Sequence, residues 1–278
     1  MRPHDIKTKI FLDSGDPDET RQVLDLLGFL DGQTTNPSLI AKKLTGKTKK
    51  FTRDELLAGY KHIVQEVASL LPQGSVSIEV YADHQTSADE MARQAREMFA
   101  WIPNGHIKFP TTSAGLAAAE MFIKEGGRVN MTLVFSQEQA AAVYAATLGA
   151  KKGDVFISPF IGRLDDRGED GMSLIKNIIE MYKTGDSHVE VLVASVRSLD
   201  HFTQSLGLGA DIITSPLKIL KEWADSKFSK ESAGGGNKLQ TIPYQEISLE
   251  KNWHNYIITH ELTTVGVQKF ADDWNKLL

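Results

Sequence analysis

The chain has 278 residues, of which 41% are hydrophobic and 24% charged, with 31 Lys and Arg against 36 Asp and Glu for a formal charge of −5. It contains no cysteine, which excludes a disulfide framework, thiolate zinc sites, iron–sulfur ligation and a cysteine nucleophile, and leaves His, Asp, Glu, Lys and Ser to carry any chemistry. Dispersed basic residues argue against nucleic-acid or membrane partners, and no run approaches the roughly 18 apolar residues that a spanning helix needs.

The first segment, MRPHDIKTKIFLDSGDPDE, lacks the apolar stretch and small-residue cleavage site of a secretory signal. The chain is therefore expected to start where the fold starts and to be cytoplasmic. From residue 9 to about 225, short β-branched runs alternate with amphipathic stretches, and eight such pairs are counted. The strands are expected at 9–13, 28–33, 76–82, 106–110, 128–134, 154–160, 189–196 and 210–214, each followed by a helix. Helix starts are marked by Asp16-Pro17-Asp18-Glu19 and by Thr52-x-x-Glu55, Ser87-x-x-Glu90 and Ser136-x-x-Gln139, which read as capping boxes.

Eight successive strand–helix pairs imply parallel strands with right-handed crossovers, and eight is the number at which such a sheet closes into a (β/α)8 TIM barrel of the α/β class. An open doubly wound sheet is the rival, but Ser14-Gly15-Asp16 is not the glycine-rich first turn that such a sheet normally carries. The barrel is expected over residues 1–228. Residues 229–278 are expected to form a mobile loop around the polar, glycine-rich 230–238 and then a helical tail from about 248, packed on the barrel or on a partner subunit. A homo-oligomer is the expected assembly, with a dimer favoured.

Sites in this fold lie at the C-terminal ends of the strands. Pairs spaced by two, Thr34/Asn36, Asn130/Thr132, Ser158/Phe160 and Ser195/Arg197, would each share one strand face, because side chains alternate. Asp13, Glu79 and Lys108 occupy equivalent strand-end positions. Lys108 is flanked by Ile107, Phe109 and Pro110, so its amine is expected in the barrel interior, where burial disfavours the charged form and a neutral amine can attack a carbonyl. The imine formed would allow carbon–carbon cleavage with no metal or organic cofactor, and Asp13 and Glu79 are the carboxylates placed for its proton transfers. Lys108 is equally readable as a buried ion-pair partner of Glu79 or Asp13. Arg163 and Arg197 read as a phosphate clamp at the mouth, or Arg163 as a surface residue paired with Asp165, Asp166 or Asp170.

Other patterns carry less. AKKLTGKT (41–48) has Ala where a P-loop needs its first Gly, HELTT (260–264) lacks the second His of a zincin helix, and 162–171 lacks EF-hand spacing. The segments LDSGD (12–16), TTNPSLI (34–40), SIEVYAD (77–83), IKFPTTSAGLAAAE (107–120), VNMTLVFS (129–136), ISPFIGRLDD (157–166), LVASVRS (192–198) and ITSPL (213–217) together resemble the transaldolase family, from Asp13 to about Leu220.

That resemblance implies Lys108 as the Schiff-base residue, Asp13 as proton donor and acceptor at carbon–carbon cleavage, and Glu79 with Thr132 holding a catalytic water. It also implies Asn36 and Asn130 at substrate hydroxyls or the imine, Arg163, Ser195 and Arg197 at a phosphate, and Ser158 orienting sugar hydroxyls. The family includes fructose-6-phosphate aldolases, in which the strand-3 acid is Gln and the residue two beyond the strand-6 Ser is Tyr. This chain has Glu79 and Phe160 at those places. Transfer of a dihydroxyacetone unit between sugar phosphates of the pentose phosphate pathway is therefore expected. Free aldol cleavage and a sugar-phosphate-binding barrel without turnover are the other readings.

Overall fold

The computed structural model describes residues 2–44, 50–231 and 239–278. Eight parallel strands close into a barrel in the order β1 (Lys9–Asp13), β2 (Gly32–Thr34), β3 (Ser75–Glu79), β4 (Gly105–Pro110), β5 (Val129–Val134), β6 (Val155–Pro159), β8 (Val189–Val193) and β9 (Ile212–Ser215). Outside it, the two-residue β7 (Glu169–Asp170) pairs with β10 (Gln240–Thr241). Around the barrel run α1 (Pro17–Leu27), α2 (Pro37–Leu44), α3 (Arg53–Leu70), α4 (Ala88–Phe99), α5 (Ser113–Lys124), α6 (Gln137–Ala146), α7 (Ile161–Asp165), α8 (Gly171–Tyr182), α9 (Leu199–Leu208) and α10 (Leu217–Asp225), and the tail ends in α11 (Glu261–Asn275). The (β/α)8 expectation is met.

The signals mark helix starts as read, but of the three expected capping boxes only Thr52–Glu55 closes reciprocally. Asp16 caps α1 by accepting from the Asp18 amide, with Pro17 in the first turn, and Thr52 and Glu55 form a reciprocal capping box on α3. Ser87 and Ser136 cap α4 and α6 from their hydroxyls. Strand β2 differs from expectation, starting at Gly32 and not at 28, because Gly28 takes the left-handed conformation (φ 73°) that ends α1. Gly32 itself admits no side chain, since a Cβ there would lie 2.5 Å from the Ser75 carbonyl and 2.6 Å from the Phe11 ring.

Two further departures concern the tail. Its helix begins at Glu261 and not near 248. The residues before it form an irregular strap with Pro243 inside it and one 3-10 turn at Trp253–Asn255, and helix side chains bond its backbone: Gln137 exchanges bonds with the Gln245 backbone, Asn177 donates to the Ile242 carbonyl, and Gln139 donates to the Ile258 carbonyl. His260, the first residue of HELTT, accepts from the Leu262 amide as the N-cap of α11. Residues 232–238 of the expected mobile loop and 45–48 of the P-loop-like stretch lie outside the described residues.

Barrel-facing and helix-facing side chains alternate. Ile107 and Phe109, fully buried, point into the helix layer while Lys108 points inward. The lower end of the barrel is plugged by Phe11, Phe156 and His106, the imidazole stacking on Phe156 with centroids 4.0 Å apart. There Lys9 pairs with the buried Glu190 at 2.9 Å. The residues singled out from the sequence as the site lie at the opposite, C-terminal mouth. Among the described residues no helix is long and apolar enough to cross a membrane.

Candidate active site

One cavity of about 530 Å³ opens at that mouth. It is lined by Asp13, Thr34, Asn36, Lys108, Ser158, Phe160, Arg163, Ser195 and Arg197, all singled out from the sequence. Glu79, Asn130 and Thr132 are buried in the barrel beside it. A larger hollow of about 620 Å³ runs from Glu79 past Tyr81, Arg93 and Trp274, and there Arg93 is occupied by Glu90 at 2.7 Å.

Strand register builds the centre. Glu79 on β3, Lys108 on β4 and Asn130 on β5 are direct partners across the sheet, so their side chains form one inward layer. Lys108 Nζ lies 2.9 Å from Glu79 Oε2 and donates to the Thr35 carbonyl at 2.9 Å. The ion-pair reading of Lys108 is therefore true, with Glu79 as the partner. Burial raises the pKa of Glu79 against the opposing pull of Lys108, so this carboxylate is suited to hold a proton passed from the amine. Oγ1 of Thr132 is buried without a hydrogen-bond partner among the described residues, which leaves this hydroxyl to a water or a substrate hydroxyl.

Asp13 closes the other side. Thr34 donates to Asp13 Oδ1 at 2.8 Å, and the Thr214 hydroxyl lies 2.7 Å from that of Thr34. Burial raises the Asp13 pKa, with Lys108 and the Thr34 bond opposing it. Asn130 is held by two bonds, donating to Ser77 Oγ at 3.1 Å and accepting from Ser158 at 2.7 Å. A lysine amine between two carboxylates of raised pKa is chemically equipped to add to a carbonyl and to move protons around the adduct.

The rim differs from its predicted geometry. Ser195 and Arg197 share no strand face, because β8 ends at Val193 and Ser195 is left-handed (φ 59°). They reach the cavity from a loop instead. Asn36 has also left β2, and its Oδ1 accepts from the Leu39 amide at the start of α2. Phe160 precedes the short α7, which carries Arg163 inward; it is Arg197 that pairs with Asp166, while the Arg163 guanidinium has no ion pair or hydrogen bond among the described residues. That guanidinium lies 5.1 Å from the Phe160 ring centroid, and desolvation lowers its pKa.

The Transaldolase/Fructose-6-phosphate aldolase family model matches residues 10–278. The chain belongs to this family. Curated relatives agree with it: a probable transaldolase of Dehalococcoides mccartyi is 42% identical over 269 residues, 97% of this chain and 99% of the relative. Probable transaldolases of Herpetosiphon aurantiacus and Thermus thermophilus are 35% and 33% identical over 269 residues, again 97% of this chain and 96% and 99% of theirs. The transaldolase-family match continues through the tail, past Leu220, where the motif resemblance ends.

Several residues that build this transaldolase-family site were not foreseen. Tyr60 of α3 accepts from the Glu79 amide at 2.8 Å and donates to Thr35 at 2.7 Å, tying the Lys108 and Glu79 supports together. Thr214 and the tail residues Leu262, Val265, Lys269 and Phe270 line the cavity. ITSPL already contained Thr214. The α11 residues carry no motif that points to the mouth.

Proposed function

We propose that the protein is a transaldolase that moves a dihydroxyacetone unit from a ketose phosphate to an aldose phosphate through an imine on Lys108. The observation that carries this reading is the buried Lys108 amine, 2.9 Å from Glu79 and on the same cavity as Asp13 and two arginines. In the proposed cycle the Lys108 ammonium passes a proton to Glu79, and the free amine adds to the ketose carbonyl. The carbinolamine then loses water to give the imine. The Asp13 carboxylate takes the proton of the C4 hydroxyl as the C3–C4 bond breaks, and the electron pair of that bond enters the imine to form an enamine. The first aldose leaves. Addition of the enamine to an acceptor aldehyde, with Asp13 returning its proton, and hydrolysis of the new imine complete the transfer.

Arg163, Arg197 and Ser195 would hold the phosphate, Ser158, Asn36 and Asn130 the sugar hydroxyls and the imine, and Thr132 with Glu79 the water. Phe160 offers no hydroxyl to activate water against the intermediate, which favours transfer over release. The test is to mix the protein with fructose 6-phosphate and borohydride and to measure its mass. A reduced adduct on Lys108 is expected, absent in Lys108→Met, whose apolar chain fills similar volume. Aldose release beyond one equivalent per site should then depend on erythrose 4-phosphate as acceptor. No adduct in the wild type would defeat the reading, and acceptor-independent turnover would place the activity in the aldolase branch.

A further inference from the structure

Arg163 enters the cavity as a bare cation. Its guanidinium, with five N–H donors, has no hydrogen bond or ion pair among the described residues, so no direct polar partner fixes it and packing, beside the longer-range pull of Glu79 and Asp166, sets where it points. Part of that packing comes from the far end of the chain. The Phe270 ring centroid of α11 lies 5.4 Å from the guanidinium carbon, within cation–π range and comparable to Phe160 at 5.1 Å. Gly266, one turn earlier on α11, leaves the room: a Cβ there would sit 2.7 Å from Arg163 Nη1 and 2.7 Å from Leu133 Cδ2. Phe270 is 5% exposed and lines the cavity together with Lys269 and Val265.

We propose that Phe270 is a positioning residue for the phosphate end of the substrate: its ring and the side-chain-free Gly266 hold the Arg163 guanidinium aimed into the cavity, so that the C-terminal helix is part of the substrate site. Bare and pre-oriented, Arg163 meets an anionic oxygen without first breaking a protein ion pair, whereas Arg197 starts out paired with Asp166. The two cations would thus divide the work. This inference rests on the transaldolase reading above, in which Arg163 meets a phosphate.

The experiment compares two ligands in wild type, Phe270→Leu, Phe270→Tyr and Gly266→Ala. Glucitol 6-phosphate carries the phosphate but no carbonyl, so its binding reads the phosphate end alone. Dihydroxyacetone carries the carbonyl but no phosphate, and its borohydride trapping reads Lys108 alone. Phe270→Leu should weaken glucitol 6-phosphate about 3- to 30-fold, the range a partly desolvated cation–π contact supports. Trapping of dihydroxyacetone should be unchanged. Phe270→Tyr keeps the ring and should restore binding, while Gly266→Ala should reproduce the loss by displacing Nη1. If Phe270→Leu binds the polyol phosphate as wild type does, or loses trapping in the same proportion, the positioning role is wrong although the transaldolase reading stands. If wild type itself traps nothing, both fall.

Discussion

At the scale of single residues, the site combines groups whose burial works against the fold and for the chemistry. Asp13 is an example, because its pKa is raised from 3.8 chiefly by desolvation. Above that value the folded state carries a charge that the unfolded chain solvates better, so stability falls as pH rises through the window above 3.8. Asp13→Asn keeps an acceptor for the Thr34 hydroxyl and removes the charge. The variant should melt higher than wild type at pH 8, and the gap should close at pH values below 3.8. Its carbon–carbon cleavage should fall about 10²- to 10⁴-fold, the span of one proton-transfer group, while imine trapping on Lys108 persists. Thermal denaturation at the two pH values and single-turnover cleavage check the two halves separately. A variant less stable than wild type at pH 8 would mean that the pairing of Asp13 with Lys108 outweighs its desolvation.

At the scale of elements, the rim depends on how α7 meets the loop after β8. The Gly162 amide donates to the Ser195 carbonyl at 3.1 Å, and a Cβ on Gly162 would come within 2.5 Å of Arg197 Nε and closer still to that carbonyl. Gly162→Ala should therefore push the loop bearing Ser195 and Arg197 outward. Phosphorylated donors should lose about 10- to 100-fold in KM, the worth of one charge-assisted bond, with dihydroxyacetone trapping retained. Steady-state kinetics on a phosphorylated and an unphosphorylated ketose would decide it. These elements also separate what could be read from the chain alone from what could not. Asp16-Pro17 and Thr52-x-x-Glu55 were legible because a cap is a contact between residues two or three apart. Lys108, Glu79 and Asn130 were legible because strand alternation places them inward whatever surrounds them. Ser195 and Arg197 were found as residues but misplaced on a strand, since a left-handed turn at a serine leaves no mark in the pattern. Tyr60 and Phe270 were not legible at all: their roles arise where α3 and α11 close over the barrel, and on their own helices they read as ordinary core aromatics.

At the scale of the whole molecule, the two ends of the barrel respond to acid in opposite directions. The net charge of −5 says little about an anionic substrate, which would meet Arg163 and Arg197 locally. The distribution of buried titratable groups says more. At the mouth, Asp13 and Glu79 have raised pKa values, so lowering the pH relieves their unfavourable charges. At the base, His106 stacks on Phe156, bonds the Gly153 carbonyl through Nε2 at 2.8 Å and Ser75 through Nδ1 at 2.8 Å, and burial lowers its pKa from 6.5 to about 3. A histidine kept neutral in the fold and protonated in the unfolded chain contributes its full stability above 6.5, and loses it progressively as pH falls toward 3. The slope from this one group is at most about 1.4 kcal/mol per pH unit. His106→Gln cannot titrate, so its unfolding free energy should fall less steeply than wild type's between pH 6.5 and 4. Asp13→Asn should fall more steeply than wild type, because it has lost a group that gains from acid. Urea denaturation at pH 7, 5.5 and 4 on the three proteins distinguishes the ends: parallel profiles for wild type and His106→Gln would mean that the base of the barrel admits a charged imidazole.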